Sequence, residues 1–133
     1  MSTLTAGDVL EPRTFTITRA DLVRYAGASG DFNPIHWSDR VATGVGLPGV
    51  IAHGMYTLAL VARAVEAWAG EGNLVEFGCK FTKPVAVPDD DRGVDLVVAA
   101  AVARVEDGRA TLKLEVTCGE EKVLGLPTAV VRV

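Results

Sequence analysis

Asp31 and His36 stand five residues apart in Gly30-Asp31-Phe32-Asn33-Pro34-Ile35-His36, a carboxylate and an imidazole on either side of a proline-stiffened turn. An extended hexapeptide would part the two side chains. Pro34 fixes its own φ at about −65° and biases Asn33 away from the helical region, and Asn-Pro initiates turns, so the backbone is free to fold back. Two readings follow from the residue types. In one, Asp31 caps neighbouring N–H groups of a surface turn and His36 is simply exposed. In the other, Asp31 orients or polarises a water or an imidazole N–H while His36, titrating near neutrality, takes or gives a proton, which is general acid/base work. His53 is the other histidine of the chain.

The longer string Tyr25-Ala26-Gly27-Ala28-Ser29-Gly30-Asp31-Phe32-Asn33-Pro34-Ile35-His36, followed by Ile51-Ala52-His53-Gly54-Met55, resembles the signature of the MaoC-like (R)-specific enoyl hydratases and 3-hydroxyacyl dehydratases. Asp-x-Asn-Pro-x-His lying about 15 to 20 residues before a His-Gly-Met that opens an apolar helix is a specific pattern. The resemblance spans nearly the whole chain and, within the family, looks strongest to the dyad-bearing subunits of two-subunit mycobacterial dehydratases. By matching position it implies Asp31 and His36 as the catalytic dyad and Gly54 as a backbone N–H donor to the acyl carbonyl oxygen. It implies hydration of trans-2-enoyl thioesters, or the reverse dehydration of (R)-3-hydroxyacyl thioesters, carried on CoA or an acyl carrier protein. No metal or organic cofactor is implied. The fold it implies is the hot-dog, with the site at the interface of a homodimer or of a heterodimer with a related subunit.

Each residue also has its own physical case. Water adding at C3 of an enoyl thioester puts negative charge on the thioester oxygen, which N–H groups at a helix start and the helix dipole stabilise. Gly54 has no Cβ and admits a close approach, although a plain helix start explains it as well. Asp31 and His36 together hold one water, remove its proton and return one to C2. They titrate as a unit, with Asp31 assigned as base and His36 as the group that positions the water. Asn33 is expected to secure the turn, and His53 to cap the helix or pack beneath the site, with a direct part in catalysis as the lesser alternative. Phe32, Trp37 and Tyr56 lie near the motif, where aromatics either line an acyl or pantetheine tunnel or, more commonly, pack in the core; Met55 is assigned to the substrate pocket with Phe32 and Tyr56, and the Thr57 hydroxyl is expected to bond back to a helix carbonyl. A metal reading would gather Asp31, His36 and His53, but no close-spaced ligand pair supports it. A hot-dog thioesterase would want a carboxylate along the central helix, where the only acid is Glu66 at the far end from Gly54. A non-catalytic acyl-binding or partner subunit has no need of the dyad.

A chain of 133 residues is the size of one domain, 1–133, able to bury a core without staples. Its net charge of −4 offers no basic stripe for nucleic acid or anionic lipid. Cys79 and Cys118 fall in strand-like stretches and read as reduced, core-like thiols, which favours the cytoplasm. Met1 to Leu10 has neither a basic n-region nor an apolar h-region, so no secretion signal is expected, and no apolar run is long enough to span a bilayer.

The elements that must hold these residues read as α+β. Thr14 to Ile17 is a short strand. Thr18, with Asp21 three residues on, caps a helix that Gly27 and Gly30 end. Ser38 to Thr43 is one more helical turn before a loop of Gly44, Gly46, Pro48 and Gly49. Met55 to Trp68 is apolar almost all round, the pattern of a buried helix, with Gly70 and Gly72 as its stop. Alternation at 75–81 and 111–117, a long apolar strand at 95–105, the Asp107-Gly108 hairpin signal, and a turn at 119–122 before a closing strand at 123–133 make a meander. A curved antiparallel sheet wrapped around one apolar helix is the expectation, and its edges are expected to pair with another chain.

Overall fold

A computed structural model describes residues 3–133, so the expectation for Met1 to Leu10 includes two residues outside that range. In chain order the elements are β1 (Arg13–Ile17), α1 (Arg19–Ser29), a 3₁₀ turn (Pro34–His36), α2 (Asp39–Gly44), α3 (Gly54–Ala69), β2 (Leu74–Phe81), β3 (Val94–Glu106), β4 (Arg109–Cys118), β5 (Glu121–Lys122) and β6 (Leu124–Arg132). The expected α+β hot-dog arrangement is present: one antiparallel sheet with a long helix packed on it. No helix among the described residues is long and apolar enough to cross a membrane.

The sheet order is β1-β3-β4-β6-β2, with β5 folded back on β4. The expected meander therefore holds for β3, β4 and β6 alone. β2 lies beyond β6 and β1 beyond β3, because α3 occupies the chain between β1 and β2 and carries it across to the far edge. The β3–β4 hairpin closes as its sequence predicts, through Asp107 (φ 52°) and Gly108 (φ 73°), both in the left-handed region that matches strand twist. Buried alternation follows: Leu96, Val98, Ala100 and Val102 from β3 meet Ala110, Leu112, Leu114 and Val116 from β4 in one core.

α1 starts with the reciprocal capping box read from the sequence. The Asp21 N–H donates to Thr18 Oγ1 at 3.3 Å, and the Thr18 N–H donates to Asp21 Oδ2 at 2.9 Å. Its end differs from expectation: Gly27 is helical, and only Gly30, at φ 78°, stops the helix, donating its N–H to the Ala26 carbonyl.

α3 also departs from its expectation. Leu60, Val61, Ala64, Val65 and Ala69 are buried against the sheet, while Met55, Ala59, Arg63, Glu66 and Ala67 are exposed. A single sheet covers one side of a helix, and the open side is apolar in composition largely because alanine lies there. Cys79 and Cys118 are free and half-buried, and burial pushes both thiols above the ordinary cysteine range.

Candidate active site

The dyad segment is organised by short-range hydrogen bonds. Gly30 turns the chain out of α1, and the Asp31 N–H donates to Ser29 Oγ at 3.1 Å. Asp31 Oδ1 accepts the Asn33 N–H at 3.2 Å, and Asn33 Oδ1 accepts the Ile35 N–H at 3.2 Å, capping the 3₁₀ turn that Pro34 begins. Asn33 thus secures the turn as expected. Asp31 does cap a neighbouring N–H, but only with one oxygen; Oδ2 faces His36 Nε2 at 3.9 Å.

His36 is buried and its ring is oriented from behind. The Nδ1–H donates to the Ile51 carbonyl at 2.8 Å, which in the neutral ring leaves Nε2 bare toward Asp31. The gap is too wide for a direct hydrogen bond and suits one shared water about 2.8 Å from each acceptor. Such a water would give both protons to acceptors and keep its lone pairs for an electrophile.

Ile51 is itself pinned. Its N–H donates to the Ile35 carbonyl, the Ala52 N–H to Val85, and the Val87 N–H to Val50. The Val50 N–H donates to Asp39 Oδ1 at 2.9 Å, and Arg19 clamps both Asp39 oxygens at 2.9 and 3.1 Å. The Val50 N–H first, then Arg19, hold the Asp39 carboxyl below the usual carboxylate range. One strut therefore ties α1, α2 and the strand-like segment that presents the His36 anchor.

His53 lies under the pair. Its ring stacks on His36 at 3.9 Å between centroids, meets Tyr25 edge-on at 4.7 Å, and donates Nε2–H to the Asp31 carbonyl at 3.1 Å. It occupies the N-cap position of α3 without making a side-chain cap bond, and its ring packs beneath His36. Burial pushes its pKa below the ordinary histidine value, partly opposed by the bond to Asp31.

A cavity of about 320 Å³ opens beside the dyad, with His36, Gly54, Thr57, Phe81, Val85 and Leu124 among its walls. Gly54 opens α3, where the first N–H groups have no intrahelical acceptor and the dipole is positive. Phe81, where β2 ends, lies against it: a Cβ on Gly54 would come within 3.0 Å of the Phe81 ring. Thr57, 3% exposed and three residues along the same helix face, lines the cavity.

Phe32, Met55 and Tyr56 do not line this cavity. Phe32 points into solvent on a loop closed by Trp37, whose indole N–H donates to the Phe32 carbonyl. Met55 lies on the open side of α3, and Tyr56 packs on Tyr25 at 5.1 Å, where burial raises its phenol pKa. Asp31, His36 and His53 hold one donor atom each within 4.8 Å of one another. They do not suit a metal: rings stacked 23° from parallel send their lone pairs side by side rather than to one point. Sequence reasoning assigned no site role to Ile51, Tyr25 or Phe81. Ile51 acts through its carbonyl, to which side-chain type is blind, and Phe81 reads as the last beat of an alternating strand.

Comparison with known proteins identifies the family. Residues 2–123 match the family profile of the MaoC like domain. The chain is 33% identical over 110 residues to the 3-hydroxybutyryl-CoA dehydratase of Methylorubrum extorquens, covering 81% of this chain and 68% of that protein. It is 44% identical over 72 residues to the 3-hydroxyacyl-thioester dehydratase X of Mycobacterium tuberculosis, covering 54% of this chain but only 25% of the relative. A solved MaoC-like dehydratase superposes with a TM-score of 0.93 at 33% identity, over 97% of this chain and 40% of its own. The chain thus spans between a quarter and two thirds of the length of these proteins. By its sequence and by the fold that carries its site, this chain belongs to the MaoC-like domain family.

Proposed function

We propose that the protein is a hydro-lyase that hydrates trans-2-enoyl thioesters to (R)-3-hydroxyacyl thioesters and catalyses the reverse dehydration. The observation that carries this reading is the 3.9 Å gap between Asp31 Oδ2 and a bare His36 Nε2, set beside the Gly54 helix start in an apolar-walled cavity. Supporting it are relatives named 3-hydroxyacyl-thioester and 3-hydroxybutyryl-CoA dehydratases.

In the hydration direction, His36 Nε2 and Asp31 hold one water. Asp31 takes a proton as the oxygen attacks C3, the thioester oxygen gains charge against the Gly54 N–H, and the pair returns a proton to C2. CoA and acyl carrier protein are both suitable carriers, and no cofactor takes part in these steps. Residues 1–133 act as one hot-dog domain, and a reducing compartment such as the cytoplasm suits its two free thiols.

A second hot-dog subunit, identical or related, completes the site. Half of the Asp31 side chain and the large apolar Phe32, Trp37 and Met55 are exposed in the single chain, and β2 leaves an open sheet edge. The test is turnover of an enoyl thioester by Asp31→Asn and His36→Ala. Losses of roughly 100- to 10,000-fold in kcat with folding intact support the reading, and full activity in either variant overturns it.

A further inference from the structure

We propose that His53 is a positioning residue that sets the geometry of the dyad, holding Asp31 through its main chain and His36 through its ring. The inference rests on the hydro-lyase reading and names the residue that gives that site its shape. His53 is 1% exposed and touches both partners at once: its Nε2–H donates to the Asp31 carbonyl at 3.1 Å, and its ring lies 3.9 Å beneath His36. Tyr25 closes the far side edge-on at 4.7 Å. The ring therefore cannot tilt without moving either the chain at Asp31 or the imidazole of His36.

The other nitrogen argues that packing alone is not the role. With the proton on Nε2, Nδ1 is a buried acceptor that has no partner among the described residues. A flat apolar ring would fill the same space without burying an orphan nitrogen. What the imidazole adds is the Nε2–H, and that bond ends on Asp31. The groups facing the ring are His36, the Asp31 carbonyl and carboxylate, Tyr25, and Tyr56 beyond it. Burial favours the neutral form, so the stack beneath His36 carries no charge of its own at neutral pH.

The test assays the purified protein on crotonyl-CoA with Asp31→Asn, His53→Phe and His53→Gln. Phenylalanine keeps a flat ring under His36 but has no N–H, whereas the glutamine amide reaches about as far as Nε2 and keeps the donor. Positioning predicts that His53→Phe keeps a Tm close to wild type and loses kcat roughly 10- to 100-fold while KM moves less than about threefold, and that His53→Gln recovers most of that loss. A packing role predicts the opposite order, with phenylalanine fully active and glutamine the damaged variant. A kcat for His53→Phe within about threefold of wild type, or a loss that only tracks the folded fraction, overturns the proposal. If wild type and Asp31→Asn are alike inactive, it is the hydro-lyase reading that fails, and crystal structures decide the positioning claim. An Asp31–His36 geometry kept by glutamine and lost with phenylalanine supports it, and one unchanged in both variants overturns it.

Discussion

At the scale of single residues, the site is a set of backbone constraints that leave a few polar atoms free. Asp31 has one oxygen committed to Asn33 and one turned toward His36, and His36 has one nitrogen committed to Ile51 and one turned back. Gly54 tests how close the walls stand. An added methyl would press on the Phe81 ring, which must give way, whereas the helix itself accepts alanine readily. Gly54→Ala is therefore expected to keep its Tm within a few degrees and lose roughly 10- to 100-fold in kcat/KM, measured side by side by calorimetry and steady-state kinetics. An unfolded variant, or a fully active one, would contradict that account of the cavity. Much of this was legible in the sequence. Type and spacing make Asp31, His36, Asn33 and Gly54 candidates while leaving a surface turn and a plain helix start open, and the family resemblance chooses between them; the Ile51 carbonyl and the orphan nitrogen of His53 depend on which chain segments cross.

Among the elements, local signals were the reliable ones. The Thr18/Asp21 box, the short helix after Ser38, the α3 start and the Asp107-Gly108 hairpin are all set within a few residues, and each forms about where the sequence suggests. Neighbour order is a long-range property, so nothing local in the sequence marks β2 as the partner of β6 or one side of α3 as open. Gly93 marks one such crossing. Its φ is 69°, and a Cβ there would collide with the Ile17 carbonyl where the chain enters β3 beside the end of β1. Gly93→Ala is expected to cost more than about 2 kcal/mol in urea unfolding, from left-handed strain and the collision together. A change below about 0.5 kcal/mol would show that β1 moves aside freely.

For the whole molecule, pH and assembly are the informative variables. Folded His53 has a pKa below that of the unfolded chain, so the unfolded state binds its proton first; stability from this group declines as pH falls below about 6.5 and levels off once folded His53 is protonated. Asp39 acts lower on the scale. Its folded pKa is depressed by Val50 and Arg19, so its contribution is complete above about pH 4 and is lost as pH falls through the folded value. Urea unfolding from pH 8 to pH 3 should show a decline in two stages, with His53→Gln flattening the upper and Asp39→Asn the lower. A wild-type profile flat from pH 7 to pH 5 would remove the first. Light scattering at micromolar concentration is expected to give a dimer, alone or with a related subunit, since the open β2 edge and the exposed apolar residues around Asp31 need cover. A monomer that remains fully active would contradict it. The most direct test of the central claim is hydration of crotonyl-CoA, followed as loss of the enoyl-thioester absorbance with chiral analysis of the product and Asp31→Asn alongside. The account predicts the (R)-3-hydroxy product from wild type and essentially none from the variant, and an (S) product, or equal turnover by both proteins, would contradict it.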